Sequence, residues 1–202
     1  MEEENAMQTD KKAEKRISRI GDKNISDALL YKSIYKTLGI QQKLNRSINP
    51  DYVRDHTTKK EMLYHPFWMA KNLIVADRPP FPPKKIPRII FVDAVSGYRG
   101  LFSHVPPINT ESIADKMLTA PQITEENLEK YIKDVQEKQI NRSYILKKPR
   151  HENKATELVY LPIWKVKVSS SELDHTFYIN GNTGESEQFI SERWWNGKDL
   201  LK

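Results

Sequence analysis

Arg78, Lys84, Lys85 and Arg88 fall within eleven residues that also hold Phe81 and five prolines. Cations clustered around one aromatic ring suit docking against an acidic or aromatic-lined surface better than they suit bond breaking. Proline favours an extended, polyproline-like backbone that loses little entropy on binding. Residues 77–88 are therefore expected to form a docking arm. Arg78, Phe81, Lys84, Lys85 and Arg88 would contact a protein partner. The structural alternative is a stiff insertion that crosses a sheet edge and discourages aggregation.

Groups for bond-breaking chemistry are sparse. The five histidines, His56, His65, His104, His151 and His175, show no metal-ligand spacing. With no cysteine, disulfides, thiolate metal ligands and thiol nucleophiles are excluded. No nucleophile elbow, Walker A loop or dinucleotide fingerprint occurs. Asp93 lies in a turn motif, but Asn180 holds the matching place in a second such turn, so the turn explains both. No catalytic residue, cofactor or metal is expected. An acid–base site assembled only in three dimensions is the third-ranked reading, after protein docking and nucleic-acid binding.

These residues sit in a chain that repeats itself. Glu61-Met62-Leu63-Tyr64-His65-Pro66-Phe67-Trp68 is answered 96 positions later by Glu157-Leu158-Val159-Tyr160-Leu161-Pro162-Ile163-Trp164. Asn45-Arg46-Ser47 is answered at the same offset by Asn141-Arg142-Ser143. Self-similarity of this kind points to architecture before activity. The fold class expected is α+β, a tandem duplication of an α-β-β-β unit packed as one pseudo-symmetric body. The divisions are a mobile charged tail at 1–22, copy one at 23–105, a connector with a short helix near 110–119 at 106–122, and copy two at 123–202. Apolar periodicity predicts helices over 24–44 and 124–145. Extended segments are predicted at 61–75 and 157–168, where apolar residues occupy both alternating sets and imply cover on both faces. Pro66 and Pro162 argue for edge or bulge positions, since proline donates no hydrogen bond to a ladder. Trp68 and Trp164 read as core residues on equivalent strands.

Hairpins follow at Phe91-Val92-Asp93-Ala94-Val95-Ser96-Gly97 and at Tyr178-Ile179-Asn180-Gly181-Asn182-Thr183-Gly184-Glu185. An Asp or Asn that bonds the backbone two residues on, closed by a glycine, builds such a turn. These segments resemble the hairpin of PepSY-type domains, small α+β modules. The resemblance covers about a tenth of the chain and implies a non-catalytic, inhibitory or binding module.

The net charge of +6 is uneven. Residues 21–102 carry fourteen basic and seven acidic side chains, so the excess sits in the first copy. Such an excess speaks to partners rather than to fold. The main expectation is a non-catalytic cytosolic binding or adaptor protein that docks a protein partner through the basic, proline-rich face. The alternative is nucleic-acid binding by the first copy, where cations mix with Tyr31, Tyr35, Tyr52, Tyr64 and Phe81. The start of the chain lacks the apolar core of a signal peptide, and no apolar run reaches the length of a membrane span. Trp194 and Trp195 leave peripheral membrane contact as a minor reading.

Overall fold

The structure, a computed structural model, describes residues 14–201. Its fold is mixed α+β: seven strands in one sheet, with five helices. The strands are β1 (Glu14–Ile20), β2 (Thr57–Arg78), β3 (Phe81–Asp93), β4 (Arg99–Leu101), β5 (Ile108–Ala114), β6 (Arg150–Ser169) and β7 (Asp174–Asn180). The helices are α1 (Asp27–Thr37), α2 (Ile40–Leu44), α3 (Pro50–Asp55), α4 (Glu125–Val135) and α5 (Gln188–Ser191). The sheet order is β4-β3-β2-β6-β1-β5, with β7 also paired to β6.

The two motif strands lie side by side and antiparallel. Tyr64 pairs with Pro162, His65 with Leu161, and Pro66 with Tyr160. Pro66 and Pro162 are thus in central strands, not edges. They are tolerated because the outer neighbour changes there. The Pro66 carbonyl accepts from Ala94 N at 3.0 Å, just where β3 turns away, while Thr119 N bonds the Tyr64 carbonyl at 3.0 Å. The Pro66 nitrogen faces the seam between these two neighbours, where no ladder bond is demanded. Pro162 is placed alike, with Gly181 N bonding its carbonyl at 2.7 Å.

Both faces of the central strands are covered. On one face α1 packs Leu30 and Ile34 on Val166, Val168, Phe177 and Ile179. On the same face α4 packs Leu128, Ile132 and Val135 on Trp68, Ala70, Ile90 and Val92. Each helix therefore covers the strands of the other half of the chain, not those that follow it directly. The opposite face gathers Phe67, Met69, Val159, Leu161 and Ile163 beneath Trp194.

Several expectations change. Residues 1–13 of the expected tail lie outside the described residues, but residues 14–20 form β1. Its alternation is hidden because the buried Arg19 is charged; Glu111 pairs with it at 2.9 Å. The helix expected near 110–119 is instead strand β5 and one 3₁₀ turn, Asp115–Met117. Both halves thus have a strand before the helix that α-β-β-β omits. The helix over 24–44 breaks at Leu38, whose extended backbone ends α1 before Gly39 starts α2. The C-terminal segment folds back on the protein: Trp194 is buried, Leu201 N bonds the Tyr131 hydroxyl at 3.1 Å, and only Trp195 of the pair stays exposed. No helix among the described residues is long and apolar enough to cross a membrane.

Candidate functional site

The proline-rich segment is a hairpin arm, not a free polyproline loop. β2 and β3 pair from Phe67–Asp93 out to Ala76–Lys84 and close at Arg78–Phe81 beyond a bulge. Val75–Arg150 pairing adds β6 as a third strand at its base. The base is tied further by Gln136, whose side-chain amide donates to Asn72 Oδ1 at 3.2 Å and to Asn153 Oδ1 at 2.9 Å. β4 joins β3 only from Ile90 to Val92, so the outer part of β3 is a free edge among the described residues. The Ile89 carbonyl points to the β4 side. By alternation Lys85 and Pro87 point their backbones outward too, and Pro87 has no N–H to offer there.

The five predicted contact residues are all exposed. Arg78 and Phe81 come together: the guanidinium lies 6.0 Å from the ring centroid, and its Nε donates to the Pro82 carbonyl at 2.9 Å. Strand alternation places Lys84 and Arg88 on the face that carries Ile90, and Lys85 on the other, so the cations straddle the arm. Asp77, the carboxylate nearest the tip, is already paired with Lys147 at 2.7 Å. Among the described residues no carboxylate forms a salt bridge with Arg78, Lys84, Lys85 or Arg88.

Two further polar features lie on the face beneath Trp194. One is a pair that the turn reading of Asp93 missed. His65 Nε2 and Asp93 Oδ1 are 2.9 Å apart, and both side chains are 0% exposed. Oδ1 also accepts from Val95 N at 2.8 Å and Ser96 N at 3.1 Å, which is the turn role expected of it. Burial raises the Asp93 pKa, but His65 and these backbone donors outweigh it and leave the carboxyl below its ordinary value. The pair has the partners of an acid–base dyad without the access. His65 is covered by Trp194, stacked with centroids 4.4 Å apart. A signal was present: relative to Leu161 and Asn180, positions 65 and 93 differ together, each gaining an ionisable group.

The other feature is a cavity of about 600 Å³ between the sheet, the 20–23 and 102–107 loops and the segment after β7. Its walls include Phe67, Phe91, Tyr98, Phe102, Leu161 and Ile190. Phe91 is the hub of the aromatic wall, with centroids 5.0 Å from Phe102, 5.8 Å from Tyr98 and 6.3 Å from Phe67. Glu187 lines the polar end beside Asn180, whose Nδ2 donates to Glu187 Oε1 at 2.7 Å. Desolvation pushes the Glu187 carboxyl up to about 7, offset in part by Asn180 and reinforced by Glu185. Sequence reasoning missed this site because its lining comes from segments scattered between residues 20 and 190.

Among the described residues no group of three His, Cys, Asp or Glu side chains is placed to hold a metal ion. Compared with protein-family models, curated proteins and solved structures, the chain has no match. The likeness of its hairpins to PepSY-type hairpins stays local and assigns no family.

Proposed function

We propose that the protein is a non-catalytic cytosolic binding module that docks an acidic protein surface through the arm at residues 77–88. One observation carries the reading: Arg78, Lys84, Lys85 and Arg88 project from a stiff hairpin without a salt-bridging carboxylate among the described residues, around a Phe81 ring that is 67% exposed. Charge complementarity selects an acidic partner and speeds its encounter. Pro87 blunts the free edge, so recognition runs through side chains rather than through strand addition.

We further infer that the two halves are copies related by a pseudo-twofold. Matching hydrogen bonds support this. Gly97 N bonds the Asp93 carbonyl and Gly184 N the Asn180 carbonyl, each at 2.9 Å. Tyr64–Pro162 and Pro66–Tyr160 exchange roles about His65–Leu161. On this reading the arm is what copy two lacks, since β6 and β7 are joined by a tight turn at Ser170–Leu173.

The test measures binding of a twelve-residue Asp/Glu peptide containing one leucine. The parent should bind it more weakly as salt rises. Lys84→Glu combined with Lys85→Glu and Arg88→Glu should abolish binding, and Phe81→Ser should weaken it, with melting temperatures unchanged. Binding that survives charge reversal overturns the reading. Tighter capture of single-stranded RNA, with log affinity falling linearly in log salt, would select nucleic acid instead.

A further inference from the structure

The cavity between the sheet, the 20–23 and 102–107 loops and the segment after β7 is built in a way that the docking reading does not use. It lies between the sheet face and the loops, and its lining includes none of the arm's exposed cations. About 600 Å³ falls within the range of small-molecule sites. Its chemistry is also directional. One wall is the aromatic group centred on Phe91, and the polar end holds Glu187, with Glu185 and Asp22 at the lining.

Glu187 decides what chemistry suits the space. One oxygen is taken by Asn180, a neutral donor, and among the described residues no salt bridge reaches the carboxylate. Glu187 is partly buried; a carboxylate partly withdrawn from water without a cation loses solvation, and a cation from outside would offset that loss. Ring faces attract cations as well, so the aromatic wall and the carboxylate favour the same ligand charge. Among the described residues Lys23 is the one Lys or Arg in the lining, against three carboxylates, while Arg193 lies over the Tyr98 ring, 4.9 Å from its centroid.

We infer that this cavity is a binding site for a small hydrophobic amine, with its ammonium at Glu187 and its apolar body against Phe91, Phe102 and Leu161. The ammonium donates to the Glu187 oxygen that Asn180 leaves open. A carboxylate ligand of the same shape would meet like charge, and a neutral alcohol would keep only the apolar contact and a weaker hydrogen bond.

The probes are 4-phenylbutylamine, 4-phenylbutanol and 4-phenylbutanoate, titrated into the full chain at pH 8 by calorimetry and by amide chemical shifts. The amine should bind one-to-one, about ten-fold tighter than the alcohol, with the carboxylate weakest. Shifts should centre on residues 180–190 and 98–104. Glu187→Gln, which keeps a partner for Asn180, should remove the amine's advantage and leave the alcohol unchanged. Phe102→Ala should weaken amine and alcohol alike. Should Glu187→Gln fail to fold, the order of the three probes on the parent chain still decides. A carboxylate that binds as tightly as the amine overturns the inference. So does an unchanged amine preference in folded Glu187→Gln, or shifts confined to the arm. A failure here leaves acidic-peptide binding by the arm untouched, and the converse holds.

Discussion

Replacing His65 by leucine and Asp93 by asparagine would give these positions the side chains of Leu161 and Asn180. Alone, His65→Leu strands a carboxylate at 0% exposure with only the turn's backbone donors, and should cost about 3–5 kcal/mol. The double substitution removes the stranded charge and keeps an oxygen for Val95 N and Ser96 N. It should cost less than half as much, a coupling of at least about 2 kcal/mol measurable by urea unfolding. Additive costs would refute the pairing. Glu187 makes the opposite kind of prediction. Its folded pKa, about 7, lies above that of an exposed carboxyl, so the folded state holds a proton that the unfolded chain has lost. Stability should fall as pH rises from about 4.5 to 7 and then level, by on the order of 3 kcal/mol. Glu187→Gln should therefore melt higher than the parent at pH 8 and level with it near pH 4; equal melting at both would show that burial costs this carboxylate nothing. At this scale the turn role of Asp93 was legible because its bonds are local. His65, 28 positions earlier, and Glu187 were not, since their environments are assembled from distant strands and loops.

Trp68 and Trp164 occupy matching places on β2 and β6, yet their surroundings differ. Trp68 is buried under α4, with Nε1 donating to the Ile123 carbonyl at 2.7 Å. Trp164 is half-buried, with Lys60 Nζ 5.3 Å from its ring centroid. Trp68→Ala should cost about 3–5 kcal/mol and Trp164→Ala about half of that, read from urea midpoints. Equal losses would mean that the helix-covered site and the solvent-flanked one pack alike. Among the elements, the long strands were legible because their apolar residues fill both alternating sets. The place of their prolines was not, because a seam between two neighbours depends on strand order. β1 escaped notice because Arg19 occupies a buried position that only Glu111 and nearby acceptors make tenable. The stretch 110–119 misled because Ile113 and Met117 are spaced like neighbours on a helix while sharing a core cluster through a strand and a turn.

For the molecule as a whole, the crossed packing of α1 and α4 decides what can fold. A fragment ending at residue 105 contains α1 but lacks β6 and β7, and it contains β2 and β3 but lacks α4. Residues 1–105 and 106–202 should each lack cooperative unfolding alone and regain it, with amide protection in both, when mixed. A cooperative melt by either fragment alone would refute the interlocking. The sequence repeat gave no warning of this, because similarity between segments does not say which helix covers which strands. The pairing of Ser18 with Val159 and of Arg19 with Tyr160 adds a consequence in time. During synthesis β6 becomes available only about 140 residues after β1, an interval of roughly 7–28 s at usual elongation rates. Through that interval β2, apolar on both sides, has neither β6 nor α4 for much of the wait. β1 can pair with β5 earlier, but its parallel contact to β6 closes only once β6 is made, so the exposure of β2 to chaperones and to misassembly depends on the pace of elongation as well as on stability.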